Sequence, residues 1–137
     1  LNVMLADASV AIRAPEWQGA VDALMVDLYD DEAAAPVLDS VDFYRDCRSN
    51  LSPQGVMTVN LFGRSSSFDQ SLAKICAAFG HDAVWTFKPT LEGNTVVLAL
   101  ATAAHPEREL LQARAEAIQA KWGVPAKKWL KVLKPVA

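Results

Sequence analysis

Val21-Asp-Ala-Leu-Met-Val-Asp-Leu-Tyr-Asp30 is the stretch on which the reading of this chain turns. Val21 to Val26 is apolar apart from Asp22 and contains β-branched residues, the pattern of a strand in a sheet covered on both faces. The strand ends in two aspartates, Asp27 and Asp30, spaced i, i+3. In an open α/β sheet, ligands bind outside the carboxyl ends of the strands. At that rim a carboxylate can hold a cation or take a proton.

On either side of this stretch the chain alternates strand and helix patterns. Upstream, Asn2-Val-Met-Leu-Ala6 reads as a strand over 2–6 running into Asp7-Ala8, with a short helix over 8–14. Downstream, the spacing predicts a helix over 39–51, started by Asp39 or Ser40 and buried along Val41, Tyr44, Cys47 and Leu51. Ser52-Pro-Gln-Gly55 reads as the turn that ends it, because Pro53 cannot continue a helix. A strand over 55–62 and a helix over 67–79 follow, the helix burying Phe68, Leu72, Ile75, Cys76 and Phe79 and stopping at Gly80. Strands 83–88 and 95–102 flank a short turn and read as an antiparallel hairpin. Helices over 106–122 and 125–134 close the chain. Alternating strands and helices predict parallel pairing through right-handed crossovers. The fold class expected is α/β, a mainly parallel sheet with an antiparallel hairpin at its C-terminal edge, in a single domain over 1–137 with 123–137 as a basic tail.

With 137 residues the chain can build one core, and 52% hydrophobic residues argue against disorder. No apolar run approaches the roughly 20 residues of a membrane span, and no charged-then-apolar leader is visible, so the expectation is a cytoplasmic protein with no membrane partner. The net charge of −3 is uneven. Residues 1–68 carry 10 acids and 4 bases (−6), and residues 69–137 carry 6 acids and 9 bases (+3). The acidic half would attract a cationic ligand and repel nucleic acid. Within it, Asp39, Asp42 and Asp46 read as a solvated acidic surface. Cys47 and Cys76 read as buried thiols, and no Cys/His spacing suggests a metal. In Lys127-Lys-Trp-Leu-Lys-Val-Leu-Lys134, Trp129, Leu130 and Leu133 are expected to dock while the lysines stay in water. Trp17, Trp85 and Trp122 are likewise read as core or rim packing.

Three motifs together, V-D-A-L-M-V-D-L-Y-D at 21–30, P-V-L-x4-F-Y ending at Tyr44, and L-S-P-x-G-V-x-x-V-N-L at 51–61, resemble the spermidine synthase (polyamine aminopropyltransferase) family. The resemblance spans roughly residues 2 to 102. It implies the Rossmann-like class I S-adenosylmethionine-dependent methyltransferase fold, with this chain as the later half of the sheet. It also implies transfer of an aminopropyl group from decarboxylated S-adenosylmethionine to an amine acceptor. Asp7-Ala8 matches the family's strand-end pair, implying contact with the adenine of the nucleoside donor. Asp27 and Asp30 match its D-x-x-D, implying that Asp27 contacts the donor and deprotonates the attacking amine while Asp30 holds the cationic acceptor. Without the family, Asp7 reads equally as a helix cap, and Asp27 and Asp30 as solvated loop acids.

The chain departs from the family pattern mainly on the amine side. Where the family reads D-S-[ST]-D-P, this chain reads Asp27-Leu-Tyr-Asp-Asp31. Where the family places aromatic residues in P-T-Y-P-S-G-x-W, this chain has Pro89-Thr-Leu-Glu-Gly-Asn-Thr95. Asn60 stands where the family often has Gln. Tyr29 is either a replacement contact for the amine or a partly buried loop aromatic. Two other readings stay open: a methyltransferase using S-adenosylmethionine on another acceptor, and a non-catalytic interaction domain. The family's sheet runs 3-2-1-4-5-7-6, with a glycine-rich turn after strand 1. No such turn is present here, and the chain reads as beginning at strand 3. Strand 21–27 is then expected at an edge, either pairing with another copy of the chain in a homo-oligomer or covered by strand 2–6.

Overall fold

The structure, a computed structural model, describes residues 1–27, 38–62 and 66–136. In chain order the elements are α1 (Ala8–Ala11), β1 (Val21–Val26), α2 (Val41–Asn50), β2 (Leu51–Phe62), α3 (Ser66–Phe79), β3 (Val84–Phe87), β4 (Asn94–Leu100), α4 (Arg108–Trp122), α5 (Ala126–Val132) and β5 (Leu133–Pro135). The five strands form one sheet in the order β1-β2-β4-β3-β5. The first four reproduce the 4-5-7-6 portion of the methyltransferase sheet order. The α/β class holds, but the sheet is less parallel than the element order suggests. Among the described residues only β1–β2 is parallel, while β2–β4, β3–β4 and β3–β5 are antiparallel.

α2 and α3 pack on one face of this sheet. α2 starts where Ser40 Oγ accepts from the Phe43 amide at 3.1 Å, satisfying a donor the first turn leaves orphaned. Its Phe43, Tyr44 and Cys47 are buried with Ile75, Cys76 and Phe79 of α3. Met57, Val59, Val97, Ala99 and Val84 rise to meet them from the strands. Met57, Ile75, Val84 and Val97 are among the largest fully buried side chains, and each such burial stabilises by about 1.5–3 kcal/mol. β4 alternates buried Thr95, Val97 and Ala99 with half-buried neighbours, the period-two signature of a strand with one fully covered face. α3 ends at Gly80, whose φ of +89° is open to glycine and strained for other residues.

Five sequence-level expectations need correction. Residues 2–6 form no strand: the run has no regular structure and is exposed. In the 3-2-1-4 order, strand 3 ladders to strand 2, and none of the described residues offers that partner. Second, β1 is not covered on both faces. It lies at the sheet edge, with Met25 84% exposed. Third, β2 begins at Leu51, so Ser52–Gly55 belongs to the strand and is not a turn. The register shifts between Val21 and Ala23, absorbing the irregularity around Pro53. Gly55 is required there: a Cβ would meet the Val21 carbonyl oxygen at 2.6 Å and the Leu51 Cβ at 2.9 Å. Fourth, the basic segment is not helical as far as residue 134. It forms α5 and then β5, whose Leu133 and Lys134 ladder to Phe87 and Thr86.

The fifth correction concerns Asp39, which is half-buried and bonded three times. It accepts from Tyr44 OH at 3.0 Å, Ser71 Oγ at 2.9 Å and Lys74 Nζ at 2.6 Å. This ties the start of α2 to α3. Asp46 also has a partner, Arg13 Nε at 2.8 Å. Of the three acids read as solvated surface, Asp42 is the one that stays largely in water, and its ion pair with Arg45 is exposed.

Candidate functional site

β1 delivers Asp27 to the C-terminal end of the parallel pair. Val26 stands beside Val59, so Asp27 and Asn60, the residues that follow them, stand at the same rim. From β2, Asn60 Nδ2 donates to Asp27 Oδ1 at 3.1 Å. That bond orients the Asp27 carboxylate. β4 starts at this same end, with Asn94 beside Phe62. The Thr90–Asn94 turn therefore lies at the rim, closed by Thr90 N to Asn94 O at 2.8 Å and by Asn94 N to Thr90 Oγ1 at 3.2 Å.

Behind Asp27 is a pocket of about 480 Å³. α1 contributes Ala8 and Ala11, with Ile12 and Trp17 after it. β1 contributes Leu24, Val26 and Asp27, and α2 contributes Phe43 and Asn50. The volume lies in the range of small-molecule sites, and the pattern of an apolar wall with few polar groups is the usual one for them. The sequence-level site residues thus separate. Ala8 and Asp27 line the same pocket. Asp7 turns away to cap α1, its Oδ1 accepting from the Ser9 amide at 2.8 Å and the Ser9 hydroxyl at 2.6 Å. The hydroxyl bond first, then the amide bond, hold its pKa below the ordinary carboxylate value. Tyr29 and Asp30 lie outside the described residues.

Asn50 joins the site without a sequence signal, and Phe43 joins it from the F-Y motif with no signal of a role in the pocket. Asn50 is 1% exposed. Its Nδ2 donates to the Ile12 carbonyl at 2.6 Å, pinning the end of α2 to the segment after α1. Its Oδ1 has no hydrogen-bond partner among the described residues. The Asn50 assignment depends on a contact across 38 residues, which no local pattern reports. Among the described residues no group of three or more His, Cys, Asp or Glu could hold a metal ion, and no helix is long and apolar enough to cross a membrane.

A parallel pair extended by antiparallel strands, with an aspartate at the rim over an apolar pocket, is an α/β arrangement of the methyltransferase kind. No family model matches the chain. It is similar to a polyamine aminopropyltransferase of Chromobacterium violaceum, 26% identical over 109 residues, which is 79% of this chain and 41% of that protein. Among solved structures it is similar to a probable spermidine synthase from Corynebacterium glutamicum, with a TM-score of 0.62 at 20% identity over 93% of this chain and 50% of that one. Human methyltransferase-like protein 13 in complex with SAH matches with a TM-score of 0.65 at 23% identity over 99% of this chain and 61% of that one. The structural likenesses establish the class I methyltransferase fold. The chain spans 41% of the length of the curated relative it matches.

Proposed function

We propose that this chain is the part of a spermidine synthase-like aminopropyltransferase that holds the nucleoside donor and the catalytic base. The observation carrying this is that Ala8 and Asp27 line one apolar pocket while Asn60 orients the Asp27 carboxylate. The pocket suits the adenosyl part of decarboxylated S-adenosylmethionine, which supplies the aminopropyl group on a sulfonium centre. Flat apolar walls take the purine, and a rim carboxylate favours the nearby positive charge. Asp27 accepts a proton from the attacking amine, and the amine nitrogen then bonds the aminopropyl carbon as the carbon–sulfur bond breaks. The bonding pair stays on sulfur, leaving a neutral thioether nucleoside. Asp30 and Tyr29 hold the cationic acceptor in this reading. Asp7 supports it indirectly, by starting the helix that carries Ala8.

S-adenosylmethionine itself would fit the same pocket. The sequence likeness to an aminopropyltransferase favours the decarboxylated donor. The reading also carries a cytoplasmic, self-associating protein in a single domain over 1–137, with no metal, nucleic-acid or membrane partner. Turnover of decarboxylated S-adenosylmethionine with a linear diamine tests the assignment. Asp27→Asn should lower it by about 10²–10⁴-fold, as expected for loss of a general base. Asp30→Asn should chiefly raise the KM for the diamine. Unchanged turnover in Asp27→Asn removes the base assignment.

A further inference from the structure

β3 and β5 lie at the edge of the sheet opposite β1, away from the strands that the 3-2-1-4-5-7-6 order places beside β1. Two pockets open there. One, of about 260 Å³, lies between α4 and α5, with Arg108, Glu116, Lys127 and Lys131 in its wall. The other, of about 310 Å³, lies between α5, β5 and the end of β3, with Thr86, Lys88, Lys131 and Lys134 in its wall. Lys131 belongs to both walls, so the two pockets form one groove. Five bases and a single acid, Glu116, line it.

These bases stand on fixed backbone. Lys127 and Lys131 are four residues apart on α5 and share one helix face. Lys127 N donates to Gln119 Oε1 at 3.3 Å, which ties the start of α5 to α4. Lys134 stands opposite Thr86 in the β3–β5 ladder, and Lys88 N donates to the Val132 carbonyl at 3.1 Å. Strand alternation turns Thr86, Lys88 and Lys134 to the same face. Among the described residues the ion pairs are Arg13–Asp46, Arg45–Asp42 and Lys74–Asp39, and none of them takes up a base of the groove. A groove walled by one sign of charge concentrates ligands of the other sign.

We propose that this groove binds a chain of linked phosphates, free or carried by a nucleotide. Four of its five bases are lysines, which bind phosphate as point charges, whereas carboxylate is matched best by the planar fork of arginine. Two pockets joined at Lys131 suit phosphates in series. One phosphate lies by Arg108 and Lys127, another by Lys88 and Lys134, and Lys131 serves both. Thr86 adds a hydroxyl beside the second. Phe87 is the one aromatic side chain in the walls and is half-buried, so the phosphates are read and a base is not. The groove is at the opposite edge of the sheet from Asp27, and its ligand does not depend on the transferase reading.

Titration calorimetry of the whole chain with inorganic tripolyphosphate, at low ionic strength and without divalent metal, tests the site. One tripolyphosphate should bind per chain, and orthophosphate, which cannot span both pockets, should bind at least about tenfold more weakly. Lys131→Gln should weaken tripolyphosphate binding by about tenfold or more, as for a lost charge-assisted bond. Lys128→Gln is the control, a lysine of α5 that lines neither pocket, and it should leave the affinity within about twofold. ATP separates the two sources: binding equal to tripolyphosphate makes a nucleotide an equal source, and weaker binding leaves the free chain as the ligand. No tripolyphosphate binding, orthophosphate binding as tight as tripolyphosphate, equal losses in Lys131→Gln and Lys128→Gln, or ATP binding tighter than tripolyphosphate would each overturn the proposal.

Discussion

Asp39 and Asp42 lie three residues apart in an acidic stretch, yet the fold gives them different work. Asp39 bridges Tyr44, Ser71 and Lys74, and the buried Tyr44 hydroxyl has no other partner described. Asp39→Ala should destabilise the protein by about 1–3 kcal/mol in urea unfolding, the cost of leaving a buried donor unpaired. Asp42→Ala should change stability by less than about 0.5 kcal/mol, as for an exposed i, i+3 pair. Equal effects would show that the Asp39 network adds nothing. Cys47 gives a pH signature. Burial, with a smaller effect of the nearby Asp46 charge, pushes its pKa up to about 12 from 9.0. Burial raises Cys76 too. A thiol raised in the folded state ionises first in the unfolded chain. Its stabilisation is therefore complete below pH 9 and is lost as pH rises from 9 towards 12. Unfolding midpoints should fall across that window, and less in Cys47→Ala. An identical fall in Cys47→Ala would remove Cys47 from the cause.

At the scale of elements, Gly55 fixes how β2 meets β1. Any Cβ there strikes the Val21 carbonyl oxygen and the Leu51 Cβ, neither of which is a flexible side-chain end. Gly55→Ala should cost about 1–3 kcal/mol by overpacking, read as a lowered unfolding midpoint. No loss would mean that the strands part more easily than their spacing suggests. The same region shows what a sequence can and cannot reveal. Helices α2 and α3, strand β1 and the β3–β4 hairpin were legible because their apolar positions repeat with helix or strand period. The start of β2 was not, because Ser52-Pro-Gln-Gly55 has turn chemistry and only the close approach of β1 makes it strand. β5 was hidden inside a helical period of lysines and leucines, and its ladder partner lies far back at Trp85–Phe87. Residues 2–6 misled for the opposite reason: strand propensity yields a strand only where a neighbour supplies hydrogen bonds. In the site, Asp27 was legible as a strand-end acid. Its orientation by Asn60 and the pocket walls from Phe43 and Asn50 were not.

Over the whole molecule, the sheet carries the rim acid, the β2 amide that orients it and the Thr90–Asn94 turn to one end. α1 and α2 wall the pocket behind. The first half of the chain carries a net charge of −6, a balance that favours a cationic ligand. The proposed function places an adenosyl nucleoside in the pocket between α1, β1 and α2. Backbone amide NMR of the 137-residue chain titrated with methylthioadenosine tests it most directly. This chain has no glycine-rich turn, so binding in the millimolar range is expected, with shifts concentrated at Ala8, Ala11, Val26, Asp27 and Phe43. Saturation without shifts at these residues, or shifts confined to α4 and α5, would contradict the account.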